Sequence, residues 1–132
     1  MGATFDSGAL IGLQRRTRRM RAVWTSLQQR GELITVPTVV LVECWGSPTN
    51  AVAELLALCE VEDLTEQIAC EAAKARAMVG GNVSAVDAVV MASAASRGDI
   101  VYTGDYDDLA RLRDNYFRSV KILSSSGPDD AQ

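Results

Sequence analysis

The sequence predicts a single α/β domain: three layers, with a mostly parallel sheet of five short strands between helices on both faces. Two observations carry this. Short runs of β-branched and aromatic residues alternate along the chain with helical stretches, the signature of strand-helix-strand units. The length, 132 residues, suits one domain, and neither a repeat nor an interior linker divides it.

The first strand is expected at Ala3-Thr4-Phe5, followed by a helix from about Gly8 and helical character over 16–29. Leu33-Ile34-Thr35-Val36 reads as the second strand. The apolar stretch through Val39-Val40-Leu41-Val42 and residues 49–58 read as helical, with a weaker strand between Cys59 and Leu64. Residues 66–79 place Ile68, Ala72, Ala75 and Val79 on one helix face and stop at Gly80-Gly81. Residues 84–97 start at a Ser84 cap and end before Gly98. Ile100-Val101-Tyr102-Thr103 is the fourth strand, a helix runs through Leu109, and Ser119 to Leu123 is the fifth strand. The domain is expected over 1–123, with the polar tail 124–132 disordered.

Composition excludes much chemistry. The 48% hydrophobic and 23% charged residues are those of a soluble globular protein. No apolar run approaches the ~20 residues a membrane helix needs, and the N-terminus lacks a secretory pattern. Cys44, Cys59 and Cys70 are odd in number, widely spaced and set among apolar residues, so a reducing cytoplasm is expected. With no histidine there is no Ser-His-Asp relay and no histidine general base. No glycine-rich phosphate loop is present. The net charge of −4 runs against general nucleic-acid binding.

Most of the 17 acidic residues suit a solvated surface, including Glu60, Glu62, Asp63, Glu66 and Glu71. Four have apolar neighbours where the core should lie. Asp6 and Asp105 follow strands, and Asp87 shares a helix face with Val90, Met91 and Ala94. Glu43 stands in Val39-Val40-Leu41-Val42-Glu43-Cys44-Trp45, which predicts a partly buried carboxylate, placed with Asp87 in an early helical turn. Each has an ordinary alternative: Asp6 and Asp105 as helix caps, Ser84-x-x-Asp87 as a capping box, Glu43 paired with an arginine. In a parallel sheet, however, right-handed crossovers bring strand C-termini and the following helix N-termini to one edge, where ligands bind. Four carboxylates converging there repel one another unless divalent cations neutralise them, and an all-oxygen site suits Mg²⁺ or Mn²⁺.

The segments Phe5-Asp6-Ser7-Gly8-Ala9-Leu10, Val42-Glu43, Asp87-Ala88-Val89-Val90-Met91-Ala92-Ser93-Ala94 and Tyr102-Thr103-Gly104-Asp105-Tyr106-Asp107-Asp108-Leu109 resemble, in order and spacing, the four blocks of the PIN domain. The chain most resembles the toxin half of bacterial VapBC toxin-antitoxin pairs, from about residue 3 to residue 123. The resemblance implies strand order 3-2-1-4-5 and a Mg²⁺-dependent endoribonuclease whose acidic cluster is Asp6, Glu43, Asp87 and Asp105. Asp6 and Asp87 lead as metal ligands, with Thr103, Ser7 and Asp108 in support. It implies an RNA substrate cut by metal-activated water, a small cognate antitoxin and a homodimer. Without an imidazole to drive a neighbouring 2′-hydroxyl, 5′-phosphate and 3′-hydroxyl ends are expected.

The rival readings are a housekeeping PIN nuclease without antitoxin, a phosphoacceptor domain and a binding module that has lost activity. The phosphoacceptor pattern needs a second acid after the first strand and a lysine after the last, which this chain lacks. The retention of all four acids counts against the third.

Arg15-Arg16-Thr17-Arg18-Arg19-Met20-Arg21 holds five of the 13 basic residues. Read as two turns of one helix, Arg15, Arg16, Arg18 and Arg19 suit either an RNA backbone or an acidic partner surface. Trp45 suits a stacked base, the core or a dimer interface.

Overall fold

In the computed structural model, which describes residues 2–45 and 51–127, five parallel strands lie in the order β3-β2-β1-β4-β5. They are β1 (Ala3–Phe5), β2 (Ile34–Pro37), β3 (Glu60–Glu62), β4 (Ile100–Thr103) and β5 (Ile122–Ser124). The helices are α1 (Ser7–Gln14), α2 (Arg18–Gln29), α3 (Thr38–Cys44), α4 (Ala51–Leu56), α5 (Glu66–Met78), α6 (Ala85–Arg97) and α7 (Tyr106–Asn115). The expected three-layer α/β fold and its strand order are both observed. One helical layer is built around α1, which packs on α2, α3 and α4; the other joins α5, α6 and α7. Among the described residues no helix is long and apolar enough to cross a membrane.

Central β1 is wholly buried, pairing Ala3 with Ile34 on one side and Phe5 with Tyr102 on the other. That double coverage explains why the inner strands β1, β2 and β4 bury almost every residue, whereas edge strand β3 (Glu60–Glu62) is mostly exposed. Phe5, Leu10, Met20, Ile34, Met91, Leu109 and Leu112 fill the core, each contributing ~1.5–3 kcal/mol by leaving water. α6 is the buried spine: every residue from Asp87 to Ala94 is inside. Its ends follow the expected local chemistry. The Ser84 hydroxyl accepts the Asp87 amide at 3.0 Å, and Gly98 closes the helix in the left-handed region at φ 72°.

Several boundaries differ from expectation. The arginine run is not one helix face. Arg16 takes a left-handed φ of 57°, so the chain turns between α1 and α2, and the Thr17 hydroxyl caps α2 by accepting the Met20 amide. The last strand begins at Ile122, not Ser119, because Val120 closes a turn onto Phe117. It runs past the expected domain end: Ser124 pairs with Thr103, and the Ser125 amide donates to the Thr103 carbonyl at 2.7 Å. The start of the expected 124–132 tail is therefore ordered, while 128–132 and the 49–50 end of the expected fourth helix fall outside the described residues.

Glu62 is not a solvated side chain. It accepts from the Ser93 hydroxyl and pairs closely with Arg97, whose guanidinium also donates to Asp99 and Thr4. Glu71, also expected in solvent, accepts from the Tyr116 hydroxyl and Lys74. Cys44 is buried, but Cys70 is exposed against expectation.

Candidate active site

β1 and β4 are neighbours, so Asp6 and Asp105, which follow them, stand at the same edge of the sheet. α6 brings Asp87 there in its first turn, and α7 starts immediately after Asp105. Three helix N-termini therefore converge, and their partial positive charge favours carboxylates in the first turn.

Asp6 is buried and almost fully engaged. Its Oδ1 caps α1 by accepting the Ala9 amide at 2.9 Å, while Oδ2 accepts the Thr103 hydroxyl at 2.5 Å and the Gly104 amide at 3.1 Å. The capping reading of Asp6 thus holds on one oxygen, while the other is fixed by Thr103 and Gly104 at the sheet edge. Burial still pushes its pKa above the ordinary value, against these hydrogen bonds, and nearby Asp105 adds repulsion. Thr103 is a relay, accepting the Asp105 amide at 2.7 Å while donating to Asp6. That contact ties both acids to the end of β4.

Asp87 is the most perturbed group. Burial first, then hydrogen bonding and repulsion from Asp105 and charge from Asp6, push its pKa up to about 8. Its Oδ2 is buried without any hydrogen-bond partner among the described residues. Carboxylate oxygens of Asp87, Asp105 and Asp108 lie within 4.8 Å of one another. Asp105 begins α7 but makes no side-chain cap bond, so its carboxylate is turned to this cluster. Asp108, expected in a supporting role, stands in this acidic group; adjacent Asp107 does not. The i, i+3 spacing of Asp105 and Asp108 at a helix start is the sequence signal that could have ranked it higher.

Glu43 departs most from expectation. It is exposed, in the last turn of α3, and accepts the Ser7 hydroxyl at 2.9 Å. Its neighbour Val42 is 84% exposed, so the apolar run does not mark burial. Ser7 ties Glu43 to the start of α1, beside Asp6, which places it at the rim and not inside the cluster. Hence Glu43 does not carry the desolvation that would make its neutral isostere stabilising. Trp45, 54% exposed, is not a core residue.

An open cleft of about 200 Å³ lies between α1 and the β4–α7 connection, lined by Asp6, Ser7, Gly8, Ile11, Gly104 and Asp105. Its walls touch backbone to backbone: a Cβ added at Gly8 would fall 2.6 Å from the Gly104 Cα. Glycine at 8 permits the approach that lets the Gly104 amide reach Asp6. Neither glycine carries a local signal for this contact, since the approach joins segments 96 positions apart.

With parallel order 3-2-1-4-5 and an acidic cluster at the carboxyl ends of its strands, the domain has the architecture the four sequence blocks led one to expect. Residues 3–115 match the PIN domain model, and the chain belongs to that family. No significant match was found among curated sequences. Among solved structures, the chain is similar to the DNA-bound VapBC of Salmonella typhimurium (TM-score 0.74, 19% identity, 96% of this chain and 99% of that one). It is also similar to VapBC2 of Rickettsia felis bound to a promoter DNA fragment (0.75, 12%, 94% and 98%). A third is VapBC-1 of nontypeable Haemophilus influenzae (0.73, 16%, 96% and 100%). At these identities the likeness establishes the fold.

Proposed function

We propose that this chain is a Mg²⁺-dependent endoribonuclease and the toxin of a toxin–antitoxin pair. The observation that carries the reading is the Asp87 carboxylate, buried with an unpartnered oxygen against Asp105 and Asp108. A buried carboxylate oxygen with no donor is costly, and two more acids beside it raise the cost, unless a cation belongs there. The donor set is all oxygen, which suits Mg²⁺ or Mn²⁺. Asp87, Asp105 and Asp108 would hold the ion, with Asp6 adjoining and Glu43 at the rim. Such an ion supplies charge to offset the negative charge that builds on the phosphate, and it acidifies water.

The chain's own residues supply the rest. Thr103 and Gly104 hold Asp6 in one orientation, so its charge is directed at the cleft. Ser7 holds Glu43 beside the opening, where its carboxylate can take a proton from a water approaching the phosphate. With no histidine to activate a 2′-hydroxyl, water is the nucleophile and the products carry 5′-phosphate and 3′-hydroxyl ends. The PIN family membership supports the nuclease reading, and the similarity to solved VapBC structures supports the antitoxin. A second groove, of about 680 Å³, has Leu13 and Trp24 in its lining and Arg18 and Arg21 among them. It suits an acidic amphipathic antitoxin segment, laying apolar side chains on the floor and carboxylates on the arginines.

The purified chain should cleave cellular RNA with Mg²⁺ or Mn²⁺ and stop in excess EDTA, leaving ends that ligate only where a 5′-phosphate is required. Undiminished cleavage in EDTA, or 2′,3′-cyclic phosphate ends, would overturn the mechanism.

A further inference from the structure

We propose that Arg76 is a phosphate-binding residue, and that the connection between α5 and α6 carries the RNA backbone past the acidic cluster. This rests on the ribonuclease reading and deepens it. α6 brings Asp87 to the site in its first turn, so the connection leading into it, residues 79–84, stands at the same edge of the sheet. Two arginines grip that connection by its carbonyls. Arg111 of α7 donates from one Nη to the Val79 carbonyl at 3.4 Å, while its other Nη pairs with Asp108 at 3.7 Å. Arg76, in the last turn of α5, donates from Nε to the Val83 carbonyl at 3.1 Å. The next residue is Ser84, whose hydroxyl accepts the Asp87 amide.

The two arginines differ in what remains for a ligand. The charge of Arg111 is matched by Asp108, a member of the cluster. Arg76 is half-buried and held in place by Val83, yet among the described residues no acid pairs with it. A guanidinium presents five N–H donors in a rigid fork suited to phosphate oxygens, and the Val83 carbonyl takes only the Nε donor. An RNA strand lying on Asp87, Asp105 and Asp108 in a chain of net charge −4 needs an unmatched cation beside them. Between the two anchored carbonyls, Gly80, Gly81 and Asn82 are exposed and present no apolar side chain. A sugar-phosphate backbone needs none, whereas a protein partner is anchored by buried aromatic and aliphatic groups. The groove beside Trp24, in the other helical layer, offers those.

The test compares Arg76→Gln, Arg76→Lys and Arg30→Gln with wild type, Arg30 being paired with Glu32 at the end of α2. Anisotropy of a labelled single-stranded RNA of mixed sequence is read in Ca²⁺ across a salt series. KM and kcat for the same RNA in Mg²⁺, and thermal unfolding of each variant, are measured in parallel. Arg76→Gln should weaken binding and raise KM about threefold to tenfold, leave kcat within about twofold, and flatten the log Kd against log salt slope by about 0.7. Arg76→Lys should keep most of that slope, and Arg30→Gln should match wild type. A purely structural bond to Val83 would lower Tm and leave the slope unchanged, and that result overturns the assignment. If Arg76→Gln binds RNA as Arg30→Gln does, the assignment is overturned while wild-type cleavage still stands. If it weakens only the cognate antitoxin, the residue belongs to the protein partner and the assignment is equally overturned. If wild type neither binds nor cleaves RNA, the ribonuclease reading falls and takes this inference with it.

Discussion

Asp87→Asn is expected to lower RNA cleavage by orders of magnitude and, in the metal-free protein, to raise stability at neutral pH. The two effects have one cause. The Asp87 carboxyl titrates near 8 in the folded chain against an ordinary 3.8, because burial and the facing Asp105 and Asp6 disfavour its charge. Between those values the folded state holds a proton that the unfolded state has released. The contribution of Asp87 is therefore complete below about pH 4, declines as pH rises through that window, and is gone above about pH 8. Its slope is at most about 1.4 kcal/mol per pH unit. Asparagine cannot ionise, so the variant should lack this slope in EDTA. Mg²⁺ should stabilise wild type by mass action and the variant far less. Thermal unfolding across pH, with EDTA and with Mg²⁺, checks both arms. Equal pH slopes for the two proteins would mean that Asp87 is not the group under strain.

Arg97→Met is expected to cost about 3–5 kcal/mol, a fall in Tm of roughly 10–20 °C for a domain of this size. Arg97 ends α6 and binds Asp99, Glu62, Thr4 and Ser93, tying the spine helix to β1, β3 and the entry to β4. Asp99 is buried, with Gly2 and Thr4 as its other donors, so removing the guanidinium strands a carboxylate in the interior. Adding Asp99→Asn should recover part of the loss. A loss of under about 1 kcal/mol would place the network among surface ion pairs, which contribute little.

Much of the fold was legible because its signals are local. Ser84 and Gly98 bracket α6, Gly80-Gly81 follow α5, and β1 and β4 are apolar runs followed by acids. The strand ends put Asp6 and Asp105 at one edge once a parallel sheet was inferred, and the strand order implied by the family resemblance made β1 and β4 neighbours. What was not legible depends on tertiary context. Val39 to Val42 look buried on every side, but α3 has a solvent face that is itself apolar, so hydrophobic neighbours misplaced Glu43. Glu62 looked like one of many surface acids, and only the return of Arg97, 35 positions later, makes it a structural partner. The arginine run looked continuous because a non-glycine residue in the left-handed region, as Arg16 is, carries no sequence mark.

The central claim is that a divalent cation belongs among the carboxylates at the carboxyl edge of the sheet. Anomalous diffraction from crystals of the Mn²⁺-loaded chain tests it most directly. A peak is predicted in contact with Asp87 and Asp105, with Asp108 close by, and none should appear in Asp87→Asn grown in the same solution. Wild-type crystals without Mn²⁺ at this cluster, at concentrations that support full RNA cleavage, would contradict it.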